Sequence, residues 1–424
     1  MDYAARFCLH LYLWLSLALL IAYLPSLVFF FVPFWKQGRL VNPVRNRIAV
    51  IVPARDESSV IRFCLDSLAR QTYDPSHFDT YIVVADEADP TASIAADYAN
   101  TYVYVVKDQT GKGSALDGVM KSLLNGSVRY DAYLIVDADN LAAPDLLEEM
   151  NNALSSGCQI ICGKKLIKNW ESSRRDSRSF ISNCTALTYT QVDELGNRGR
   201  NLLGIAITMI GTGMLIRSDI VEENDGWPYR GLTEDYEMTA DSILKGWKSL
   251  YYSHAKVFTE EATHAKAAYE RKMRWIKGYS QCQQRHHKAI RQDMFSGAFK
   301  WRNLDFLYAT YPAYAFFGIS VVAALLGVVA VILTLSGGRA SMATAAPLVL
   351  VPILMVYGAL FVFTLIAMAV DWRYIKIPIT EILAVLFIAP IYTLGYFRIF
   401  IAAFLTGYDH FQWHRTERVP FAMV

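Results

Sequence analysis

The sequence lacks the short motifs that mark several common enzyme classes. No G-x-G-x-x-G opens a helix after the first predicted strand and no Walker lysine pattern occurs, which argues against a dinucleotide oxidoreductase and a P-loop ATPase. Cysteine is also sparse, and the six cysteines form no C-x-x-C pair and no Cys/His cluster with zinc spacing. We therefore predict reduced cysteines that serve in packing, which suits a cytosolic catalytic domain.

Net charge is nearly absent too. The 41 lysines and arginines and the 39 aspartates and glutamates leave a net charge of +2, which gives no indication of nucleic acid, and no such partner is predicted. Apolar residues are plentiful instead: 54% of the 424 residues are hydrophobic, 19% are charged, and the mean hydropathy is positive. A soluble domain must therefore share the chain with membrane segments.

Four apolar stretches are long enough to cross a bilayer of about 30 Å. The first covers residues 7–34 and is followed by Lys36, Arg39, Arg45 and Arg47, which places that end of it in the cytoplasm. The other three lie near the C-terminus, at residues 313–335, 346–370 and 379–405.

These stretches divide the predicted chain into five parts. They are an N-terminal transmembrane helix at 1–35, a cytoplasmic catalytic domain at 36–280, interfacial helices at 281–312, a C-terminal transmembrane region at 313–406 and a tail at 407–424. Three C-terminal spans would leave the tail outside the cell, whereas Arg415, Arg418 and an interruption of the last span at Pro390 favour a cytoplasmic tail. The sequence thus predicts a multi-pass protein of the plasma membrane, with membrane lipids as partners.

Short β-rich runs alternate with helical stretches in the first part of the catalytic domain. The runs cover residues 48–54, 80–86 and 101–106, and helices are predicted at 60–70 and near 92–100. This alternation predicts an α/β fold with a mostly parallel, doubly wound sheet. Ligands of such sheets bind at the carboxyl ends of the strands. Acidic motifs follow the first two of these runs, PARDE at 53–57 and ADEADP at 85–90, and a third, DAD at 137–139, ends a later apolar run, an arrangement typical of a nucleotide site.

The run Tyr130 to Asn140, YDAYLIVDADN, ends abruptly in two carboxylates. Strand geometry would put Asp137 and Asp139 on the same side of the chain, where two anions repel unless a cation or a ligand joins them. Hard oxygen ligands suit Mg²⁺ or Mn²⁺. The alternative is a solvated junction between a strand and a turn.

Two glycine-containing segments could approach ligands. GKGSAL at 111–116 carries Lys112, which could reach a phosphate or a base, although a turn before a helix would have the same sequence. The glycines of GTGM at 211–214 would let the backbone come close to a ligand, or would allow one strand to pack tightly on the sheet.

A basic and aromatic cluster lies in AYERKMRWIKG, residues 268–278. Arg271, Lys272 and Arg274 suit a diphosphate, and the indole of Trp275 suits stacking on a sugar ring. The same residues could form a basic helix on anionic headgroups.

Seven motifs in this order give the chain a family resemblance: IVPARDE, VVADEADPT, GKGSAL, VDADN, GTGM, TEDYE and RKMRW. Together they resemble the inverting family 2 glycosyltransferases with a GT-A fold, over about residues 48–278. The flanking apolar segments are similar to the polysaccharide-synthase branch, which includes the hyaluronan, chitin, cellulose and poly-N-acetylglucosamine synthases. The resemblance implies a GT-A-type, Rossmann-like cytoplasmic domain with α-helical transmembrane segments.

The resemblance also implies roles for individual residues. Asp139 would hold Mg²⁺ or Mn²⁺ on the donor diphosphate, and Asp235 of TEDYE would be the general base, with Glu234 and Glu237 as competing bases or the whole run as a charged helix face. The other donor-binding residues would be Pro53, Ala54, Glu57, Asp86, Lys112, Asp137, Arg271 and Arg274, and the acceptor-binding residues Gly213, Glu234 and Trp275. One motif departs from the branch, which usually reads Q-Q/R-x-R-W where this chain has Arg271 and Lys272, and this weakens the case for long processive synthesis.

The function expected from this resemblance is metal-dependent, inverting transfer of a hexosyl group. The donor would be a nucleotide-sugar, expected to be UDP-linked, and the acceptor a growing glycan at the cytoplasmic membrane face, with the membrane helices able to pass the product outward. One alternative is a single transfer to a membrane lipid. Another is a transporter or scaffold whose cytoplasmic domain only binds nucleotide.

Overall fold

The computed structural model describes most of the chain. The described residues are 3, 7, 10–15, 17, 18, 31–107, 109–168, 178–262, 264–300, 302–336 and 342–407. Most of the predicted N-terminal span and nearly all of the predicted tail, with Arg415 and Arg418, therefore lie outside the described residues.

Eight strands form one sheet in the order β3-β2-β1-β4-β7-β6-β8-β5. Strands β1 to β4 pair in parallel, β7 runs antiparallel to both β4 and β6, β6 and β8 are parallel, and β5 pairs antiparallel with β8. The predicted parallel arrangement is thus confirmed for the first half, and the second half is mixed. The bounds are β1 Ile48–Pro53, β2 Phe78–Val84, β3 Thr101–Val105, β4 Ala132–Ile135, β5 Leu141–Ala142, β6 Ile160–Ile167, β7 Met214–Arg217 and β8 Ser249–Thr259.

Strand β1 shows why the first half of the sheet is buried on both faces. Its residues are almost continuously apolar, as is typical of a parallel strand covered on both sides. Because side chains alternate along a strand, Val50 and Val52 enter one core cluster, while Ala49 and Ile51 enter another. The sheet is therefore a rigid layer whose carboxyl edge can position a site.

Helices connect these strands and continue beyond them. In the catalytic part they are α1 Ile61–Ala69, α2 Pro90–Ala95, α3 Lys112–Leu124, α4 Leu146–Leu154, α5 Arg178–Thr190, α6 Arg198–Leu203, α7 Ser218–Glu223, α8 Glu234–Lys245 and α9 Ala265–Met294. A π-helical segment, Gln191–Asn197, joins α5 to α6. The second predicted helix is shorter than expected: it begins after Asp89, which accepts the N–H of Thr91 at 2.9 Å, and it ends at Ala95.

The C-terminal part consists of long apolar helices. They are α10 Asn303–Ser336, α11 Met342–Val370, α12 Ile379–Leu394 and α13 Tyr396–Leu405. The last predicted span is interrupted at Gly395, while Pro390 lies inside α12. Within the described residues, the stretch Ile379–Leu405 is the one long and apolar enough to cross a bilayer.

The boundaries predicted at 280 and 312 fall inside helices. Helix α9 runs unbroken through the first, and α10 through the second. The apolar helices pack on the catalytic part at two places. Met273 and Ile276 of α9 meet Ile399 and Ala403 of α13, and residues of α5 meet α11 and α12 in a further buried cluster.

Candidate active site

The carboxyl ends of β1 and β2 lie side by side. Pro53 is in register with Val83, and the N–H of Ala54 donates to the Val83 carbonyl at 2.9 Å. Asp86 follows β2, is exposed, and accepts the N–H of Ala88 at 3.0 Å. Glu57 is half-buried in the loop after β1, where its N–H donates to Thr91 Oγ1 at 3.1 Å. These four predicted donor residues therefore share one edge of the sheet.

The two aspartates of VDADN are not on one side of a strand, so that prediction is wrong. Strand β4 ends at Ile135, and both carboxylates belong to the loop that follows. Thr212 holds this loop, because its hydroxyl oxygen accepts the N–H of Asp137 at 3.1 Å and the amide of Asn140 at 2.5 Å. Asp139 is buried, whereas the Asp137 side chain is partly exposed beside Lys112.

Lys112 connects the loop after β4 with the first residue of α8. It is the first residue of α3, and its Nζ lies 2.5 Å from Asp137 Oδ1 and 3.7 Å from Glu234 Oε1. It also donates to the carbonyl oxygen of Gly211. Burial alone would lower the pKa of Lys112, but the charges of Asp137 and Glu234 outweigh it and raise that pKa, so the side chain remains an ammonium ion.

The acids of TEDYE open helix α8, where the helix dipole favours negative charge. Asp235 Oδ2 accepts the N–H of Gly211 at 2.6 Å, and its Oδ1 accepts the N–H of Tyr236 at 2.8 Å. Glu234 is buried next to it and faces Lys112. The third acid, Glu237, is held by Arg285 and by the N–H of Gly231, so it is engaged away from Lys112.

Both acids of this pair have a raised pKa. Burial raises the pKa of Glu234 to about 7, against the lowering effect of Lys112, and the charge of Asp235 adds to the rise. Burial also raises the pKa of Asp235, while Lys112 and the N–H of Gly211 lower it. Two neighbouring carboxylates with elevated pKa values are a source of general base chemistry near neutral pH.

The two glycines of GTGM have different surroundings. A Cβ on Gly211 would face Lys112 Nζ at 3.1 Å and Asp235 Oδ2 at 3.2 Å, whereas a Cβ on Gly213 would meet Val257 Cγ2 at 2.8 Å. Gly213 also has φ +59, a conformation that favours glycine. The packing alternative therefore accounts for Gly213, and Gly211 is the glycine that faces the reactive groups.

Arg271 and Trp275 form an aromatic and cationic wall. The Arg271 guanidinium lies 5.3 Å from the Trp275 ring centroid, and the Tyr189 ring meets Trp275 edge-on at 6.3 Å between centroids. Arg271 also pairs with Glu261 at 3.3 Å. Arg271 also donates to the Glu260 carbonyl at 2.9 Å, and Lys168 joins Glu260 to the Asp139 carbonyl, so this cation lies on the Asp139 side of the site.

The three basic residues of this motif do not form one cluster, so the predicted shared role in binding a diphosphate is wrong for Lys272. Its Nζ is buried between the rings of Tyr392 and Tyr396, at 3.7 and 3.8 Å from their centroids. Burial lowers the pKa of Lys272 to about 7. Arg274 instead donates to the carbonyl of Leu232 at 3.0 Å, and its charge lowers the pKa of Glu234 and of Asp235.

The donor atoms fit a hard divalent cation that shares its ligands with substrate. Among the described residues no group of three or more His, Cys, Asp or Glu side chains could hold a metal by itself. Asp139 and Asp137 supply carboxylate oxygens, and Mg²⁺ or Mn²⁺ in such a site takes its remaining ligands from phosphate and water. The residues present thus suit a metal that binds together with a diphosphate.

Several residues of the site were not predicted from the sequence. Glu260 and Glu261 directly follow β8, so the rule that located Asp86 and Asp137 would have located them had this strand been recognised. Lys168 pairs with Glu260 at 2.9 Å and donates to the Asp139 carbonyl at 2.8 Å. No local pattern marks Lys168, because its partners are distant in sequence.

The acids, the fixed Lys112 and the buried acid pair thus gather at the carboxyl edge of a Rossmann-like half-sheet, where the ligands of such sheets bind. The chain belongs to the glycosyltransferase-like family 2, whose family model matches residues 45–278. The fold of the matched region is GT-A-like.

Curated relatives agree with this assignment. The chain is 22% identical over 253 residues to a probable glycosyltransferase, YdaM, of Bacillus subtilis, covering 58% of each chain. It is 22% identical over 277 residues to a beta-monoglucosyldiacylglycerol synthase of Trichormus variabilis, covering 62% of this chain and 55% of the relative. The chain therefore spans somewhat over half the length of these relatives.

A solved structure has a similar fold. It is the mannosyltransferase PcManGT of Pyrobaculum calidifontis in complex with GDP-Man and Mn²⁺, with a TM-score of 0.59 and 16% sequence identity. The similarity covers 87% of this chain and 99% of that one.

Proposed function

We propose that this chain is a metal-dependent, inverting hexosyltransferase of the membrane surface. It takes the sugar from a UDP-linked donor and adds it to a growing glycan at the cytoplasmic face. The observation that carries the proposal is the contact of Lys112 with both Asp137 and Glu234, because one fixed cation thereby joins the predicted donor acids to the acid pair of α8.

The donor side supplies binding and charge. Pro53, Ala54 and Asp86 at the strand ends are the residues proposed to line the nucleobase and ribose, with Glu57 beside them. Asp139, with Asp137 beside it, would hold the divalent cation, which when bound neutralises charge on the diphosphate oxygens. Arg271 lies on the same side, where its guanidinium can stabilise the leaving diphosphate.

The base side removes the proton of the acceptor hydroxyl. Asp235 is held by two backbone N–H groups, so its carboxylate has a fixed orientation. When a hydroxyl oxygen attacks the anomeric carbon, its proton passes to Asp235 while the bond to the diphosphate breaks. A single displacement of this kind inverts the configuration. Glu234 lies beside the base on the proposed acceptor side, and the charge of Asp235 helps to raise the pKa of Glu234.

The acceptor surface is proposed at Trp275, next to the apolar helices. Its ring belongs to a cluster that also contains Met368 of α11 and Leu386 of α12. These helices, with the stretch Ile379–Leu405, are the basis for proposing a multi-pass protein whose catalytic part faces the cytoplasm. The same helices are proposed to pass the product outward across the membrane.

The same observation favours a second candidate, a single transfer to a membrane lipid. An acceptor bound at Trp275 would be continuous with an apolar surface, which suits a lipid acceptor as well as a glycan. The relative from Trichormus variabilis is named for the synthesis of a glucosyl lipid. The synthase motif usually has glutamine where this chain has Arg271, and this difference also favours a single transfer over long processive synthesis.

Product analysis tests the proposal. Purified full-length protein in lipid vesicles is incubated with a panel of UDP- and GDP-sugars, with Mn²⁺ or Mg²⁺, and with oligosaccharide or diacylglycerol acceptors. Glycan products that grow with time support the first candidate, and a glycolipid carrying one added sugar supports the second. Nucleotide binding without transfer from any donor would contradict both and would leave a binding module or transporter.

A further inference from the structure

Residues 205–210, which lead to Gly211, lie in no strand of the described sheet. Their backbone is held by side chains instead. The N–H of Ile207 donates to Ser249 Oγ at 3.0 Å, and the N–H of Met209 donates to Thr239 Oγ1 at 3.0 Å. The segment ends at Gly211, whose N–H donates to Asp235 and whose carbonyl accepts from Lys112. Its position therefore determines the positions of two reactive groups.

The side-chain amide of Asn197 bonds to the backbone in the middle of this segment through both its oxygen and its nitrogen. Its Oδ1 accepts the N–H of Thr208 at 2.8 Å, and its Nδ2 donates to the Thr208 carbonyl at 2.9 Å. Asn197 is fully buried and is the last residue of the π-helical segment. Such π-helical irregularities often occur at functional sites, where they reorient a side chain.

The other end of the π-helical segment is anchored to the connection between α11 and α12. Glu194 accepts from Lys164 Nζ at 2.8 Å, and Lys164 also donates to Asp371, which follows α11. Thr190, directly before the segment, donates to the second oxygen of Asp371. All four side chains are buried. The segment is thus fixed at one end and can hold the backbone near Gly211 at the other.

Asn201 provides an internal comparison one helical turn later. Its amide makes the same pair of bonds to a backbone residue, donating to the carbonyl of Tyr251 at 2.6 Å and accepting its N–H at 3.0 Å. Tyr251, however, belongs to β8, where it is in register with Cys162 of β6. The pairing of β8 with β6 keeps Tyr251 in place when the Asn201 side chain is removed. Thr208 lies in no strand of the described sheet, so strand pairing does not hold it.

We propose that Asn197 is a positioning residue for the transfer reaction. By fixing Thr208 it sets the place of Gly211, and through Gly211 it sets the orientation of the Asp235 carboxylate and of the Lys112 ammonium. This inference rests on the proposed function, since it assigns Asn197 to the same site. It predicts an effect on turnover rather than on donor binding.

The test compares Asn197→Ala with Asn201→Ala, with Asn197→Ser as a second variant that adds no charge to a buried position beside Asp193. For each, kcat and KM are measured with the nucleotide-sugar that the wild-type protein uses, and hydrogen exchange is followed by mass spectrometry. We expect Asn197→Ala to lower kcat by about 10²-fold with little change in the donor KM, because small displacements of reacting groups have effects of this size. Asn197→Ser should lose at least about tenfold, and Asn201→Ala should stay within about twofold of wild type.

Hydrogen exchange gives a readout that does not need turnover. Amides of residues 205–213 should exchange faster in Asn197→Ala, whereas in Asn201→Ala faster exchange should be confined to residues near Tyr251. Unchanged exchange at 205–213, or an unchanged kcat despite faster exchange there, would overturn the inference. If Asn197→Ala does not fold, Asn197→Ser decides by the same criteria. A wild-type protein that transfers no sugar overturns the proposed function instead, and the exchange comparison then decides the positioning of 205–213 alone.

Discussion

The ammonium of Lys112 lies 2.5 Å from the Asp137 carboxylate, although 24 residues lie between them in the sequence. Lys112 begins a helix and Asp137 follows a strand, so the contact exists only because α3 and the end of β4 meet at one edge of the sheet. The same cation lowers the pKa of Glu234 and of Asp235. One side chain therefore acts on both the donor side and the base side.

Replacing Lys112 should change two properties at once. Lys112→Met removes the cation that lowers the pKa of Asp235 and of Glu234, so both should rise and the acid limb of the kcat/KM profile should move to higher pH. Donor affinity should also fall, because the cleft loses a positive charge. The pH profile and the nucleotide Kd are the measurements.

Lys121→Met is the matched control, since Lys121 lies on the same helix and pairs with Asp117 at 3.2 Å at a largely exposed position. It should leave both the profile and the Kd unchanged. A Lys112→Met profile that coincides with the wild-type profile would count against the electrostatic role.

Glu234→Gln should distinguish Glu234 from Asp235 as the base. The pKa of Glu234 is raised to about 7, so this group is protonated and neutral at the acid end of the profile. Its replacement by a neutral glutamine should therefore leave the acid limb of kcat/KM close to its wild-type position. If Glu234 were itself the base, the same variant would lose activity at every pH.

Glu234→Gln should also stabilise the protein above neutral pH. The pKa of Glu234 is about 7 in the folded protein, above its ordinary value of 4.5, so folding favours the protonated form. The wild-type protein thus loses stability as pH rises from 4.5 to about 7, by on the order of 3 kcal/mol, and the glutamine variant does not. Thermal unfolding at pH 5 and pH 8 checks this: the variant should unfold at a higher temperature only at pH 8.

The sequence allowed much of the fold to be predicted, because its signals are local. The continuous apolar run of β1 and the acids after β1, β2 and β4 are readable from neighbouring residues alone. The sequence could not show that β4 ends at Ile135, and the expected alternation of Asp137 and Asp139 failed for that reason.

The errors in the site have a common physical cause. Gly213 packs against Val257, which leaves Gly211 as the glycine that faces Lys112 and Asp235. Lys272 points toward the rings of Tyr392 and Tyr396. These partners lie tens of residues away, so periodicity in the local sequence carries no information about them. The bond between Asn197 and Thr208 likewise depends on the π-helical segment, which has no simple sequence signature.

The metal assignment predicts a specific loss at Asp139. Asp139→Ala should abolish transfer and remove metal-dependent UDP binding, because the diphosphate loses its link to the protein. Isothermal titration with UDP, with and without Mn²⁺, measures this directly. Asp145→Ala is the control, since Asp145 lies at the start of α4 and makes no capping bond with its side chain. Wild-type turnover in excess EDTA would refute the metal requirement.

The buried ion cluster around Lys164 should matter for stability. Lys164→Ala leaves the carboxylates of Glu194 and Asp371 buried without their shared cation, and removing one partner of such a pair costs about 3–5 kcal/mol. Lys121 is exposed, and its partner Asp117 keeps Arg230 at 2.6 Å, so Lys121→Ala should cost less than about 1 kcal/mol. Denaturant unfolding of the two variants provides the comparison, and equal losses would contradict the role of burial.

The account depends most on Asp235 as the base that accepts the proton of the acceptor. Asp235→Asn keeps the shape and one acceptor oxygen for the backbone N–H groups, but an amide cannot take up this proton. Asp241→Asn is the control on the same helix, because Asp241 accepts from Tyr229 and has no bond to Gly211.

Transfer rate, UDP affinity and melting temperature are measured on one preparation of each protein. Asp235→Asn should lower transfer by about 10²-fold or more while UDP affinity stays close to that of the wild type, and Asp241→Asn should transfer normally. Transfer by Asp235→Asn at the wild-type rate would contradict the account and would move the role of base to Glu234.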